Sequence, residues 1–145
     1  MQVAYELRPS TIAGLGLFAV ARIPKGALLW KFSDESVRTY ASADEVRAAL
    51  STKSAEQAAF FLEHAYCWGD KVCEILDEAY YWNHSKSPNT GSLPEDEHSS
   101  WALRDIEAGE ELLDDYSQHD TLPWFEAICA EHAVSSSSAV GAQYD

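Results

Sequence analysis

Glycine divides the strand-like apolar runs of this chain into short pieces, and that punctuation limits the available folds more than any other feature. Gly14 and Gly16 fall inside "STIAGLGLFA", and Gly26 closes the turn Pro24-Lys25-Gly26 ahead of "ALLWKF". Gly69-Asp70 splits "YCWGDKVCEIL", and Gly109 sits in "EAGE" between "WALRDI" and "ELLDDY". Glycine inside a strand pattern marks a bend or a close backbone approach, and Gly-Asp between apolar runs marks a hairpin tip. With "VAYELRP" near the start and "YYW" at 80–82, these runs read as many short strands, and "SLPEDEHSS" reads as a polar loop. Helices are fewer. Ser42 with Glu45 and Ser54 with Gln57 have the spacing in which side chain and backbone cap one another, predicting helices to about 50 and about 64. Thr121 is placed to cap a third over about 122–132, with Trp124, Phe125, Ile128, Cys129 and His132 on one face. Strands and helices do not alternate, which excludes a doubly wound sheet. The fold class expected is mostly β with peripheral helices (α+β).

A chain of 145 residues suits one core. One domain is expected over 1–134, followed by a Ser/Ala/Gly-rich tail over 135–145 whose composition predicts disorder. The formal charge of −14 argues against direct nucleic-acid binding, which needs a Lys/Arg footprint, and favours a basic partner. No apolar run approaches the ~20 residues that span a bilayer, and "MQVAYELRPS" has neither the charged head nor the apolar middle of a secretory signal. The expectation is an intracellular protein away from membranes. Three scattered cysteines, Cys67, Cys73 and Cys129, make a poor disulfide framework and read as buried thiols. His64, Cys67 and Cys73 match no common zinc spacing, and "EELLDD" lacks the alternating oxygens of a calcium loop, so no metal is expected.

The stretch "YYWNHSKSPNTG" is harder to read as ordinary structure, because its polar part is far longer than a turn requires. Gly14-Leu15-Gly16 by itself is weak: no third glycine follows and a strand, not a helix, comes next, so it is no dinucleotide fingerprint. Three pieces in order say more. "AGLGLFAVARIPKGALL", "YYWNHSKSPN" and "ALRDIEAGEELLDDY" resemble the hallmark motifs of SET-domain protein-lysine methyltransferases, over roughly 10–116. The resemblance implies a β-clip of small curved sheets whose C-terminal segment threads a loop as a pseudoknot, bringing the Asn-His-Ser and Asp-Tyr segments side by side. It implies S-adenosyl-L-methionine as cofactor, with Gly14, Leu15 and Gly16 along its methionine portion and Asn83 and His84 contacting it, partly through backbone. Ser85, Pro88 and Asn89 would hold the loop, Glu111 and Leu112 would be structural, and Tyr116 would be the catalytic tyrosine.

The chain also departs from the family pattern. No Cys-x-Cys follows Tyr116, so the zinc-binding segment common after this domain is missing, and Lys86 stands where the family usually has cysteine. Trp124 and Phe125 are then the candidates to close the pocket and cover the adenine, with core packing as the alternative. The implied partner is a basic, lysine-containing protein or peptide, histones being one such class, acted on by a monomer or a homodimer. The competing reading is a catalytically inactive β-clip module that only binds a protein.

Overall fold

Short strands and capped helices follow one another in the computed structural model, which describes residues 1–143. In chain order the strands begin with β1 (Tyr5–Pro9), β2 (Leu15–Ala19), β3 (Leu28–Trp30) and β4 (Val37–Tyr40), then helices α1 (Ala43–Leu50) and α2 (Ala55–His64). Next come β5 (Tyr66–Trp68), β6 (Lys71–Ile75), a 3-10 turn (Glu78–Tyr81), β7 (Asn83–His84), β8 (Thr90–Leu93), β9 (Asp96–Ala102) and β10 (Leu113–Asp114). A second 3-10 turn (Tyr116–Gln118) leads to α3 (Pro123–Glu131) and α4 (Ser137–Gln143). The mostly-β α+β class is borne out. The chain forms two compact units, each from two separated segments: Met1–Ser36 with Leu76–Asp115, and Val37–Ile75 with Tyr116–Asp145. Because each unit is discontinuous, no linker or composition shift marks a boundary within 1–134.

In the first unit β1 and β2 form an antiparallel pair, from Tyr5 opposite Ala19 to Pro9 opposite Leu15. A three-stranded antiparallel sheet runs in the order β3-β9-β8. Its β8–β9 hairpin turns between Leu93 and Asp96, so most of the expected loop "SLPEDEHSS" is strand. Polar residues are tolerated there because β9 is the central strand and its backbone is paired on both sides. Conversely, "WALRDI" is strand only to Ala102, after which Ile106 makes a lone bridge to Ile23. "YYW" is not a strand either. Asp77 caps a 3-10 turn by accepting from the Ala79 N–H at 2.9 Å and also receives Trp30 Nε1 at 3.1 Å. The parallel pair β7–β10 sets Leu113 opposite Asn83 and Asp114 opposite His84. Parallel neighbours need a long crossover, here the whole β8–β9 hairpin together with the segment 103–112.

The second unit packs α1, α2 and α3 with the antiparallel sheet β4-β6-β5. Val46, Leu62, Val72, Phe125 and Ile128 are fully buried in its core. Each such side chain contributes about 1.5–3 kcal/mol by leaving water. Ser42 and Ser54 cap α1 and α2, and Ser54 with Gln57 forms the reciprocal box. Gly69, at φ +62, makes the β5–β6 tip. Thr121 does not cap α3: the cap is Leu122, without a side-chain bond, and Pro123 at the first helical position fixes φ instead. Cys67, Cys73 and Cys129 are free and buried, and burial pushes their thiols up to about 12, 11 and 12.

The tail expectation is corrected. Residues 137–143 form α4, capped by Ser136, whose hydroxyl accepts from the Ala139 N–H at 3.2 Å and donates to Glu126 at 2.5 Å. Small residues here allow close packing rather than disorder; Ser136, Ser137, Ser138 and Gly141 are all buried. Tyr144 and Asp145, at the end of the expected tail, lie outside the described residues.

Candidate active site

The expected site residues fall into two sets, one in each unit. The first set is organised by Gly16. A Cβ at that position would overlap the Glu111 carboxylate and come within 3.2 Å of Asn83 Nδ2. The missing side chain is therefore what lets Glu111 and Asn83 reach the β2 backbone. Asn83 Nδ2 donates to Ala13 O at 3.1 Å, Leu15 O at 3.1 Å and Glu111 Oε1 at 2.9 Å. Ser10 Oγ donates to the other Glu111 oxygen at 3.0 Å, and the loop closes through Ser10 N to Gly14 O at 2.8 Å. Gly14 sits at φ +45, a conformation that side chains rarely adopt. Two carbonyls and a carboxylate thus converge on one amide nitrogen, with Leu15, 37 % exposed, beside them.

Asn89 fastens the crossing strand. It is 2 % exposed, donates Nδ2 to Glu111 O at 2.8 Å and accepts the Leu113 N–H at 2.8 Å. Thr90 Oγ1 donates to Leu113 O at 2.8 Å while receiving Trp82 Nε1 at 3.0 Å. The Ser85 N–H donates to Asp114 O at 2.9 Å, and the Ser85 hydroxyl receives the Ser87 N–H. This is the loop-holding role expected of Ser85 and Asn89. His84 is buried, and its Nδ1 lies 3.8 Å from Asp115 Oδ1. Burial pushes the Asp114 carboxyl up to about 6; the Asp115 N–H bond opposes the rise and the Asp115 charge adds to it.

In the second unit Tyr116 is half-buried and opens a 3-10 turn closed by His119 N to Tyr116 O at 3.0 Å. The two rings stack, centroids 5.2 Å apart and planes 22° apart. Of the two candidates to cover an adenine, Phe125 is fully buried in the core cluster and offers no face to a ligand. Helical periodicity put it on the apolar face, and there it stays. Trp124 is partly buried against the same cluster, edge-on to Phe125 at 6.2 Å. Ser10 and His119 carry contacts that no motif advertised. The i to i+3 spacing of Tyr116 and His119 was the available signal for the latter.

The first set fits S-adenosyl-L-methionine by the chemistry of its groups. Each carbonyl keeps a second lone pair after bonding Asn83, so the backbone around Gly16 is rich in acceptors, with the Glu111 carboxylate packed against it. Such a set of acceptors suits the ammonium of an amino-acid ligand. Among the described residues no three His, Cys, Asp or Glu are grouped to hold a metal ion, and no helix is long and apolar enough to cross a membrane.

Comparison with known proteins agrees with the motif reading. Residues 14–117 match a family model described as the SET domain. The fission yeast (Schizosaccharomyces pombe) protein named histone-lysine N-methyltransferase set5 is 30% identical over 133 residues, covering 77% of this chain. This chain spans 41% of the length of that relative. A solved Plasmodium falciparum structure, described as that of a candidate histone methyltransferase, is similar with TM-score 0.49 and 17% identity. That match covers 78% of this chain and 92% of the solved one.

Proposed function

The chain belongs to the SET-domain family, and on that footing we propose that it transfers a methyl group from S-adenosyl-L-methionine to the ε-amine of a lysine in a protein substrate. The observation that carries this reading is the convergence of Ala13 O, Leu15 O and Glu111 Oε1 on Asn83 beside a glycine that cannot carry a side chain. A merely structural crossing needs Asn89; it does not need acceptors gathered around Gly-x-Gly.

When bound, the cofactor supplies a methyl group on a cationic sulfur. The chain's own groups then have three tasks. Gly14, Leu15, Gly16, Asn83 and His84 hold the amino-acid end. Apolar surroundings and the nearby positive charge keep the substrate amine neutral, against a free lysine value of ~10.4. Tyr116 orients that amine through its hydroxyl and ring edge, a positioning and electrostatic role. The neutral amine's lone pair would take up that methyl group, with the C–S electrons leaving on sulfur, and water would accept the ammonium proton. No side chain need act as general base, and His84, buried against the crossing strand, has the surroundings of a structural residue.

The substrate proposed is a basic, lysine-bearing protein, histones being one class. A net charge of −14 raises its local concentration and encounter rate. Three buried, inert thiols suit a reducing compartment inside the cell. Calorimetry with S-adenosyl-L-methionine, followed by labelled-methyl transfer to core histones and ribosomal proteins, tests the proposal. Cofactor binding and label on lysine are expected, and added salt should weaken use of the protein substrate but not cofactor binding. Absence of cofactor binding would leave a protein-binding module as the function.

A further inference from the structure

A tyrosine that orients reacting groups has to be oriented itself, and its own turn begins that task. In a 3-10 turn side chains at i and i+3 eclipse, which lays His119 over Tyr116 with centroids 5.2 Å apart. A loose imidazole would make this stack an accident of the turn, but the imidazole is held. Its Nδ1 lies 2.8 Å from the hydroxyl of Ser137, a buried residue at the start of α4. A further ring, Tyr66 on β5, packs on it at 5.0 Å and 34°.

The backbone beneath is fixed as well. Gly141 of α4 lies so close that a Cβ there would come within 2.6 Å of Ser117 N and 2.7 Å of the Tyr116 carbonyl carbon. On the other side Asp120 ties the segment to the β5–β6 hairpin, donating its N–H to Cys67 O at 3.0 Å and accepting the Gly69 N–H at 2.6 Å.

We infer that His119 is a positioning residue for Tyr116: stacked on the phenol and anchored by Ser137, it makes the C-terminal helix part of the machinery that sets the ring's orientation. The inference rests on the catalytic reading of Tyr116. It assigns a use to a stretch, 135–143, that no motif covers. His119 touches no reacting atom in this scheme; it acts through the tyrosine.

The test uses the full chain, S-adenosyl-L-methionine and core histones as the methyl acceptor. His119→Ala should lower kcat about tenfold, the value of one aromatic pair, with KM for the cofactor unchanged. His119→Phe, which restores a ring, should recover to within about threefold of wild type. In the double variant with Tyr116→Phe, loss of His119 should add nothing, because its effect runs through the phenol. An undiminished kcat in His119→Ala, or a full extra tenfold loss in the double variant, overturns the inference. A second arm needs no turnover. In protein carrying ring-labelled tyrosine, the Tyr116 resonance (identified by its absence in Tyr116→Phe) should move and sharpen in His119→Ala and return toward its place in His119→Phe. A resonance that ignores both changes overturns the inference too. If Tyr116→Phe turns over as fast as wild type, it is the catalytic reading that fails, and the resonance arm still decides whether His119 fixes the ring.

Discussion

The groups around Gly16 and the groups around Tyr116 are held in place by different kinds of bonding. Near Gly16 the holding side chains are amides and a carboxylate inside the motifs. The amides bond main-chain atoms far away in sequence, Asn83 to Ala13 across 70 residues and Asn89 to Glu111 across 22, and the carboxylate accepts from Asn83 and Ser10. Near Tyr116 the holding groups are an imidazole, a serine hydroxyl and a glycine, and only covalent proximity relates the first of them to a motif. The difference has a physical origin. A buried main-chain N–H or C=O must be paired, and few side chains can pair both kinds at once. A ring only has to be packed, and many side chains can do that.

The comparison can be broken where the amide bonding should matter most. Asn89→Ala strips partners from Glu111 O and Leu113 N in a buried crossing, so it should cost about 4 kcal/mol in urea unfolding. A loss under about 1 kcal/mol would mean that water or rearrangement replaces the amide. Gly16→Ala comes next: the new methyl group has to displace Glu111 or Asn83, at about 2–3 kcal/mol. The same change should weaken cofactor binding by at least tenfold in calorimetry, whereas Gly141→Ala should leave that affinity intact and slow turnover instead. Equal effects of the two glycines on affinity would erase the distinction between the regions.

Asp114 gives a pH-dependent version of the same test. Its carboxyl group titrates at about 6 when folded, against an ordinary value of 3.8, chiefly through burial. Folding thus favours the protonated form, so stability falls as pH rises from about 4 through about 6, and the full cost persists at pH 7. Asp114→Asn should be stabilising by about 2 kcal/mol at pH 7 and neutral near pH 4. A variant whose advantage does not change with pH would contradict the buried titration. The smallest effect belongs to the second unit's local capping: Ser54→Ala should cost about 1 kcal/mol and leave cofactor affinity untouched.

How far the sequence revealed this architecture follows the same division. The capping pairs, the Gly69 hairpin and the glycine turns were legible because each is a local arrangement between one side chain and its neighbouring backbone. The motif strings announced the Asn83–Glu111–Asn89 region through its residue types. Strand β9 was not legible, since "DEHSS" gains its place from partners on both sides and not from its own preference. Nor was α4: its serines and Gly141 look like a tail until the close approach to Tyr116 and Ser117 is known. Phe125 was offered both as a pocket-closing residue, for want of a zinc-binding segment, and as core packing, and its full burial matches the second reading. Glu111 was read as structural, and its bonds to Asn83 and Ser10 make it the brace packed against Gly16.

One comparison of rates bears on the whole account most directly: single-turnover transfer of labelled methyl from S-adenosyl-L-methionine to core histones by the wild-type chain and by Tyr116→Phe, with cofactor affinity measured alongside. The account predicts label on lysine ε-nitrogen, a rate at least about a hundredfold lower in the variant, and equal affinity in both. Equal rates, or no transfer by a wild-type chain that binds the cofactor, would contradict it.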